Sequence, residues 1–550
     1  MGAGDVLTVG ADASPGGSGF ALSSCSEESM QSRISMAAVL LGCGVPVLAQ
    51  HNPSHGVASQ SMFDLIGLAC AAAPDSAEFR TFGRMFVIAP PPRVPESVLV
   101  QVAEAMRESR APVDGDGHPT VPLASDSVAA GFIFLGQFVD HDLTFDVLSQ
   151  LGEEADPSRI ANFRTPRLDL DSVYLAGPNA SPFLYEHGRF GFLRTGNAQN
   201  PDDLPRNEEG VALIGDPRND ENGIVSQLHL AFLRFHNAVL SDVARGRIHE
   251  GRRAGENDFE FARRLVRWHY QWLIRHEFLP AVVDAAVLAE AEQALQSPHA
   301  NVCNGAPIMP VEFAVAAYRF GHSQVRGRYR IAPGRDGVDL FAPPADALTS
   351  FAPLPMANRV DLSLFFAVDG SRPQMAQRID TFLTDEVFEL PFERDAKLQS
   401  LAFRNLHRGT NTFRLPTGEQ VLAALDSTAT PLPPHPAIDA AGLSGKTPLW
   451  FYCLQEAEQN GGKLGKVGGT IVAVTILRIL YTDPTSYLYR PLPVEAAGQG
   501  PVRATPGAAQ RSVPAAVATD WRPVLGRPGP GVAAPGFTIA DLLRCAEAGR

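Results

Sequence analysis

Gly136-Gln137-Phe138-Val139-Asp140-His141-Asp142-Leu143-Thr144 sets one amide, two carboxylates and one imidazole within six residues. The residues before it, Ala129-Ala130-Gly131-Phe132-Ile133-Phe134-Leu135, are apolar. Charged groups carried into an apolar wall need a metal, a cofactor or a counter-ion, because a buried charge without compensation is too costly. On a helix Gln137 and His141 stand four residues apart and share one face. Asp140 and Asp142 flank the imidazole and point to different sides. The competing reading is a helix end whose acids are solvated, the commoner fate of acidic side chains.

Four further stretches are candidates to meet this one. Thr165-Pro166-Arg167-Leu168-Asp169-Leu170-Asp171 alternates carboxylates with a nearby hydroxyl and intervening carbonyls. Hard oxygens of this kind suit calcium, and Asp142 would join the set from a distant segment. The alternative is a polar loop with an Asx turn. Ile214-Gly215-Asp216-Pro217-Arg218-Asn219-Asp220-Glu221 precedes a strong helical periodicity. Arg218 and Glu221 lie three residues apart and can approach one ligand from the same side. Otherwise these acids complement a helix N-terminus and Arg218 is a surface charge.

Tyr318-Arg319-Phe320-Gly321-His322 ends an apolar segment. Glycine beside histidine lets a flat group come close, and a neutral imidazole can ligate iron. A satisfied core histidine is the plainer alternative. Asn405-Leu406-His407-Arg408-Gly409 follows apolar Leu401-Ala402-Phe403. An amide buried there can orient a ligating imidazole from behind.

In this order and spacing, the motifs resemble those of the animal-type haem peroxidases of the peroxidase–cyclooxygenase superfamily, in particular its bacterial members. The resemblance covers roughly residues 79 to 545. It implies a mainly α fold: a single large helical haem peroxidase domain with long loops and little β structure. It implies that His141, Arg218 and Gln137 form the distal, peroxide-binding side. His322 would be the proximal iron ligand, Asn405 its hydrogen-bond partner, and Arg319 and Arg408 the arginines near the haem propionates. Asp140 and Glu221 match carboxylates that form ester bonds to the haem, so haem b is expected, with covalent attachment open. Asp142, Thr165, Arg167 (through its carbonyl), Asp169 and Asp171 match a Ca2+ loop.

The expected reaction is reduction of hydrogen peroxide, leaving an oxidised iron–oxo haem that takes electrons from halides, thiocyanate or phenolic donors. Two departures bear on this. Asp171 stands where many animal members have serine, which keeps an oxygen ligand and adds negative charge. Asn222 follows Glu221, where a methionine would allow a sulfonium link to the haem. Without that link, donors easier to oxidise than chloride are expected. The nearest rival on the same scaffold is a fatty-acid dioxygenase or cyclooxygenase. Relatives of that kind carry tyrosine three residues before the proximal histidine; here that position is Arg319, with Tyr318 one residue further away. A non-enzymatic, calcium-stabilised adhesion protein would be expected to lack His141, Arg218 or His322, and all three are present.

Length and composition set the frame. The chain has 550 residues, 45% of them hydrophobic, and a formal charge of -14. An acidic balance argues against nucleic acid or an anionic membrane surface as the main partner. Six single cysteines without a CxxC pair exclude a zinc ribbon or thioredoxin-like motif. No apolar run reaches the roughly 18 residues of a transmembrane span. Residues 1–75 read as a tail and 76–550 as one domain, because the helices carry motifs that need one another. Met30-Gln31-Ser32-Arg33 and the apolar run to Ala49 look like a signal segment. The chain is expected to be secreted or periplasmic if 30–49 acts as one, and cytoplasmic otherwise. Helices are expected over Ser97–Arg107 with Ser97 as cap, Gly223–Val243, Phe259–Phe278, Pro310–His322, Leu449–Glu458, Gly469–Tyr481 and Ile539–Ala548.

Overall fold

Nine helices of eight or more residues carry the fold among the described residues. They are α1 (Glu96–Ala105), α2 (Gly131–Leu143), α3 (Gly223–Ala244), α4 (Asp258–Leu273), α5 (Ala285–Gln296), α6 (Gly418–Leu425), α7 (Leu449–Gln459), α8 (Lys466–Thr482) and α9 (Ile539–Ala548). The computed structural model describes residues 82–114, 123–145, 153–296, 308–341, 351–391, 395–489 and 535–548, with isolated positions between them. The signal-like segment at 30–49 and the 1–75 tail lie outside the described residues. Strands are short and pair only in twos: Ala124–Ala129 runs antiparallel to Met375–Gln377, and Phe82–Gly83 parallel to Met309–Pro310. The fold is mainly α with little β structure, as the sequence implies. No described helix is long and apolar enough to cross a membrane.

The longest described helix, at 22 residues, is α3. Its first turn is capped by Asn222, whose side-chain oxygen accepts the amides of Ile224 and Val225 at 3.1 and 2.9 Å. Ile224, Leu228, Phe232, Phe235 and Val239 are all buried. The helix packs on α2, α4 and α9. A capping box formed by Asn257 and Glu260 starts α4. Helix α8 is buried along nearly its whole length, against α5 and α7.

Entry into α2 requires glycine. A Cβ at Gly131 would lie 2.6 Å from the Phe365 carbonyl oxygen and 2.5 Å from the Phe366 ring. The chain therefore passes tightly under 365–366 before Gln137–Asp142 enters the core.

Three expected helices differ in detail. Pro95, in extended backbone, precedes α1, which starts at Glu96 with no side-chain cap; Ser97 lies inside its first turn. The 310–322 segment is not one α-helix. It makes a π turn over Glu312–Ala316, a 3-10 turn over Ala317–Phe320 and a single α turn over Gly321–Gln324. Glu312 is pinned by the amides of Met85 and Phe86 at 2.9 and 3.3 Å. Ala316 departs from helical geometry at φ -125 and ψ -78. Tyr318, Arg319 and His322 all border the same space. The expected Phe259–Phe278 helix likewise ends in a π turn over Ile274–Phe278.

Candidate active site: a cavity between two histidines

A cavity of about 630 Å³ opens between α2 and the 315–325 segment. Gln137, Asp140, His141, Arg218 and Glu221 line it, together with Arg319, His322, Asn405 and Arg408. These residues come from four stretches far apart in sequence, and the fold brings them to one place.

On the α2 wall His141 is buried, and its Nδ1 lies 2.8 Å from Asn219 Oδ1. Asn219 Nδ2 in turn lies 3.0 Å from Nδ1 of the buried His229. If Nδ2 donates to His229, Oδ1 must accept from His141, so the His141 proton sits on Nδ1 and Nε2 carries the lone pair. Burial, then the nearby Arg218 charge, pushes the His141 pKa down to about 4. The ring is therefore neutral and basic at Nε2 over the physiological range.

Arg218 is carried by a 3-10 turn over Pro217–Asp220. Asp216 caps that turn by accepting the Arg218 amide at 2.9 Å. The same carboxylate grips the guanidinium, taking Nη2 at 2.7 Å and Nε at 3.1 Å. Nη2 also donates to the His141 carbonyl at 3.1 Å, and the guanidinium sits 4.3 Å from the Phe145 ring centroid. At the end of the turn Asp220 receives both nitrogens of the buried Arg206 at 2.7 Å. Arg218 is thus fixed relative to His141 from two directions.

The two carboxylates of this wall are in different states. Burial raises Asp140, but the charges of Arg319, Arg218 and His141 outweigh it and hold the carboxyl below its ordinary range. Asp140 Oδ2 lies 3.1 Å from Arg319 Nη1, and Thr144 Oγ1 donates to Oδ1 at 2.9 Å. Burial dominates at Glu221 and pushes it up to about 7. Glu221 accepts Gln137 Nε2, and Gln137 Oε1 accepts Asn222 Nδ2 at 3.2 Å.

Across the cavity, His322 Nδ1 lies 2.7 Å from Asn405 Nδ2. That amide presents either Nδ2 or Oδ1 to the ring by a half-turn of equal size. With Oδ1 accepting from Nδ1–H, Nε2 is left as a neutral lone pair toward the cavity. Burial, then Arg319, pushes the His322 pKa down to about 3. A Cβ on Gly321 would meet nothing within 4 Å, so open space lies beside the imidazole. Arg319 also donates Nε to the Ala314 carbonyl at 2.7 Å. Tyr318 is tied through its hydroxyl to the Gly136 carbonyl at 3.2 Å.

Behind His141, the ligand atoms of Asp142, Asp169 and Asp171 fall within 4.8 Å of one another. Thr165 Oγ1 donates to Asp169 Oδ1 at 2.6 Å, and Asp142 accepts the amides of Leu170 and Asp171 at 3.2 and 3.1 Å. The Arg167 amide closes the loop onto the Thr165 carbonyl at 2.8 Å. Leu168 and Leu170 take left-handed backbone, with φ of 40 and 59, and bury their side chains completely. This conformation is uncommon for leucine, and Asp169 lies between the two. Burial and mutual repulsion raise Asp142 well above its ordinary range and Asp169 to about 6. An all-oxygen set under such repulsion suits a hard divalent cation.

Sequence reasoning missed Asn219, His229, Arg164 and the second role of Asp216. Asn219 sits one residue after Arg218 and carries no pattern of its own; only the fold shows what it touches. A second cleft of about 650 Å³ lies between α3, 356–363 and α9, but its arginines are engaged by neighbouring acids.

A helical fold that sets a neutral imidazole opposite an imidazole–guanidinium pair, across a cavity of this size, has the layout of a haem protein. A family model for animal haem peroxidase matches residues 148–411. That stretch holds Arg218, Glu221, His322, Asn405 and Arg408 and stops short of Gln137–Asp142. The chain is 26% identical over 354 residues to a chorion peroxidase of Drosophila melanogaster, covering 58% of this chain and 41% of that protein. It is 23% identical over 204 residues to an eosinophil peroxidase of Mus musculus, covering 36% and 27%. The chain therefore spans well under half the length of these relatives. Among solved structures, peroxidase A of Dictyostelium discoideum superposes with a TM-score of 0.53 at 15% identity, over 78% of this chain and 92% of that one. A fatty acid alpha-dioxygenase of Arabidopsis thaliana gives 0.51 at 14%, over 74% and 72%. Residues 148–411 match the animal haem peroxidase family, and the solved structures share the fold.

Proposed function

We propose that the chain is a haem peroxidase that reduces hydrogen peroxide and oxidises a small anionic or phenolic donor. The observation that carries this reading is one cavity holding neutral His141 beside Arg218 and, opposite, neutral His322 beside Asn405. Haem b, ligated through Nε2 of His322, would supply the redox centre. The neutral donor atom, the open space over Gly321 and the cavity volume fit that group. Asp140 and Glu221 are the carboxylates for ester links, and Arg319 and Arg408 the arginines for its propionates. Residues 76–550 form the peroxidase domain in this reading.

The chain's own chemistry then follows. Nε2 of His141 takes a proton from one peroxide oxygen and returns it to the other as the O–O bond breaks. The Asn219 bond keeps the second ring nitrogen protonated, so the exchange uses Nε2 alone. Arg218 stabilises the charge developing on the departing oxygen. Gln137, held by Glu221 and Asn222, borders the pocket where a small anion would meet the same donors. Asp142, Thr165, Asp169, Asp171 and the Arg167 carbonyl would hold Ca2+, fixing α2 one residue beyond His141. Asn222 cannot form a sulfonium link, which favours bromide, iodide, thiocyanate or phenols over chloride.

The test is an absorption spectrum of the purified protein followed by addition of peroxide. A Soret band that changes with peroxide is expected, and haem that resists acid-acetone extraction would support the ester links. A haem-free protein, or one inert to peroxide, would refute the reading.

A pH profile tests the base. His141 works only when neutral, and its pKa lies at about 4. The rate constant with peroxide should stay flat from about pH 8 to about pH 5 and fall as pH drops through 4. Because the Arg218 charge contributes to this depression, Arg218→Leu should move the acid limb upward. It should also lower the plateau by about 10²- to 10³-fold. A wild-type limb near the ordinary histidine value of 6.5 would instead mean a solvated His141.

A further inference from the structure

Arg164 stands between the cation loop and the arginine of the cavity. Its side chain is 8% exposed. Nη1 lies 3.2 Å from Asp171 Oδ1, and Nη2 donates to the Gly215 carbonyl at 3.1 Å. Nε lies 3.0 Å from Asp216 Oδ2, a charge contact without the alignment of a hydrogen bond. The Asp216 side chain is fully buried and turns its two oxygens to Arg218 as well. Asp171, Arg164, Asp216 and Arg218 therefore form one run of alternating charges from the cation loop to the cavity.

The backbone beneath this run is continuous. The Gly215 amide donates to the Ser172 carbonyl at 2.8 Å. A Cβ at Gly215 would fall 2.6 Å from that oxygen and 2.9 Å from the Asp171 carbonyl oxygen. Only glycine permits this approach of the loop's exit to the turn that bears Arg218. Phe145 lies near both guanidiniums, with centroid distances of 5.5 Å to Arg164 and 4.3 Å to Arg218. Asn162 fixes the start of the same segment, accepting the amides of Phe145 and Arg164 at 2.8 and 3.2 Å and donating to the Leu143 carbonyl at 2.8 Å.

We propose that Arg164 is a positioning residue for Arg218: by holding Asp171 and Asp216 together, it sets the cavity guanidinium according to where the cation loop stands. The proposal rests on the peroxidase reading for the role of Arg218 and touches neither peroxide nor haem. Without Arg164, Asp216 keeps Arg218 as its partner but loses the contact that stops the pair from swinging. Asp171 loses a competing cation, so Ca2+ in the loop meets one fewer positive charge.

The test uses the full-length, calcium-saturated holoprotein and the variant Arg164→Gln. Three quantities are measured: the affinity of the ferric protein for fluoride, an anion that a donor on the His141 side would stabilise; the rate constant with peroxide; and, after calcium has been stripped from a separate sample, a Ca2+ binding isotherm. Fluoride affinity and peroxide rate should fall about 10- to 100-fold, the effect of a catalytic group displaced by about an ångström. Ca2+ should bind as tightly as in wild type or about threefold more tightly. Fluoride affinity and peroxide rate within about twofold of wild type would overturn the proposal, since displacement should cost more. Weakened Ca2+ binding alongside both losses would also overturn it, because the arginine would then be only a prop of the loop. Arg164→Lys keeps the charge but cannot span two carboxylates and a carbonyl. If the glutamine variant does not fold, weakened fluoride binding in the lysine variant supports the proposal and unchanged binding sinks it. A wild-type protein inert to peroxide would overturn the peroxidase reading and this proposal together, whereas a reactive wild type with an unchanged Arg164→Gln overturns this proposal alone.

Discussion

Replacing His141 with alanine should lower the rate constant with hydrogen peroxide by about 10²- to 10⁴-fold, the usual contribution of a positioned general acid–base group. The Soret band and haem content should stay as in wild type, because His322 lies on the opposite wall. Arg218 keeps most of its support, since its grip on Asp216 is independent of the imidazole and its bond to residue 141 goes to the backbone carbonyl. The substitution leaves Asn219 Oδ1 without its ring partner, a buried acceptor worth about 1–3 kcal/mol of stability. Stopped-flow mixing with peroxide, alongside a thermal melt, separates the two effects. A rate within about threefold of wild type would remove His141 from the proton-transfer role.

Replacing His322 with alanine should have the other large effect, read by spectroscopy as well as by turnover. The imidazole is the donor that fits iron: neutral, beside open space, and fixed by Asn405 at 2.7 Å. Without it the spectrum of a histidine-ligated haem should disappear, and added imidazole should restore part of it by filling the vacated space. Peroxide turnover should fall at least about 100-fold, more than the roughly 10- to 100-fold expected from loss of a partner such as Asn405. An unchanged Soret band in this variant would mean that another residue ligates the iron. Ester links through Asp140 or Glu221 would retain the haem even then, so the spectrum decides, not the haem content.

Much of this was legible in the chain because its signals are local. The spacing of Ile224, Leu228, Phe232, Phe235 and Val239 marks α3, and all five side chains are buried. The separation of Gln137 from His141 puts both on the cavity face, while Asp140 and Asp142 serve opposite sides of α2. The acids before α3 were open to a plainer reading, as complements of a helix N-terminus. Asp216 does cap the turn, and it grips Arg218 with the same carboxylate. What stayed hidden depends on partners far along the chain. Arg164 was only the residue before Thr165, and nothing near it points to Asp216, 52 positions away. The ion pair of Arg319 with Asp140 spans 179 positions. Glu312, in the irregular 312–324 segment, meets the 85–86 backbone across 227 and 226 positions, which no periodicity encodes.

Those separations have a consequence for how the protein comes into being. Gln137 meets Glu221 across 84 positions, His141 meets Asn219 across 78, and His322 meets Asn405 across 83. Contacts of such range close late, because each must first overcome the entropy of a long loop. A nascent chain emerging from the ribosome therefore has no fragment that could assemble the pocket. The pocket is complete only once residues as late as Thr412 have been synthesised and folded back on α2. A chain cut before Thr412 lacks part of the cavity lining.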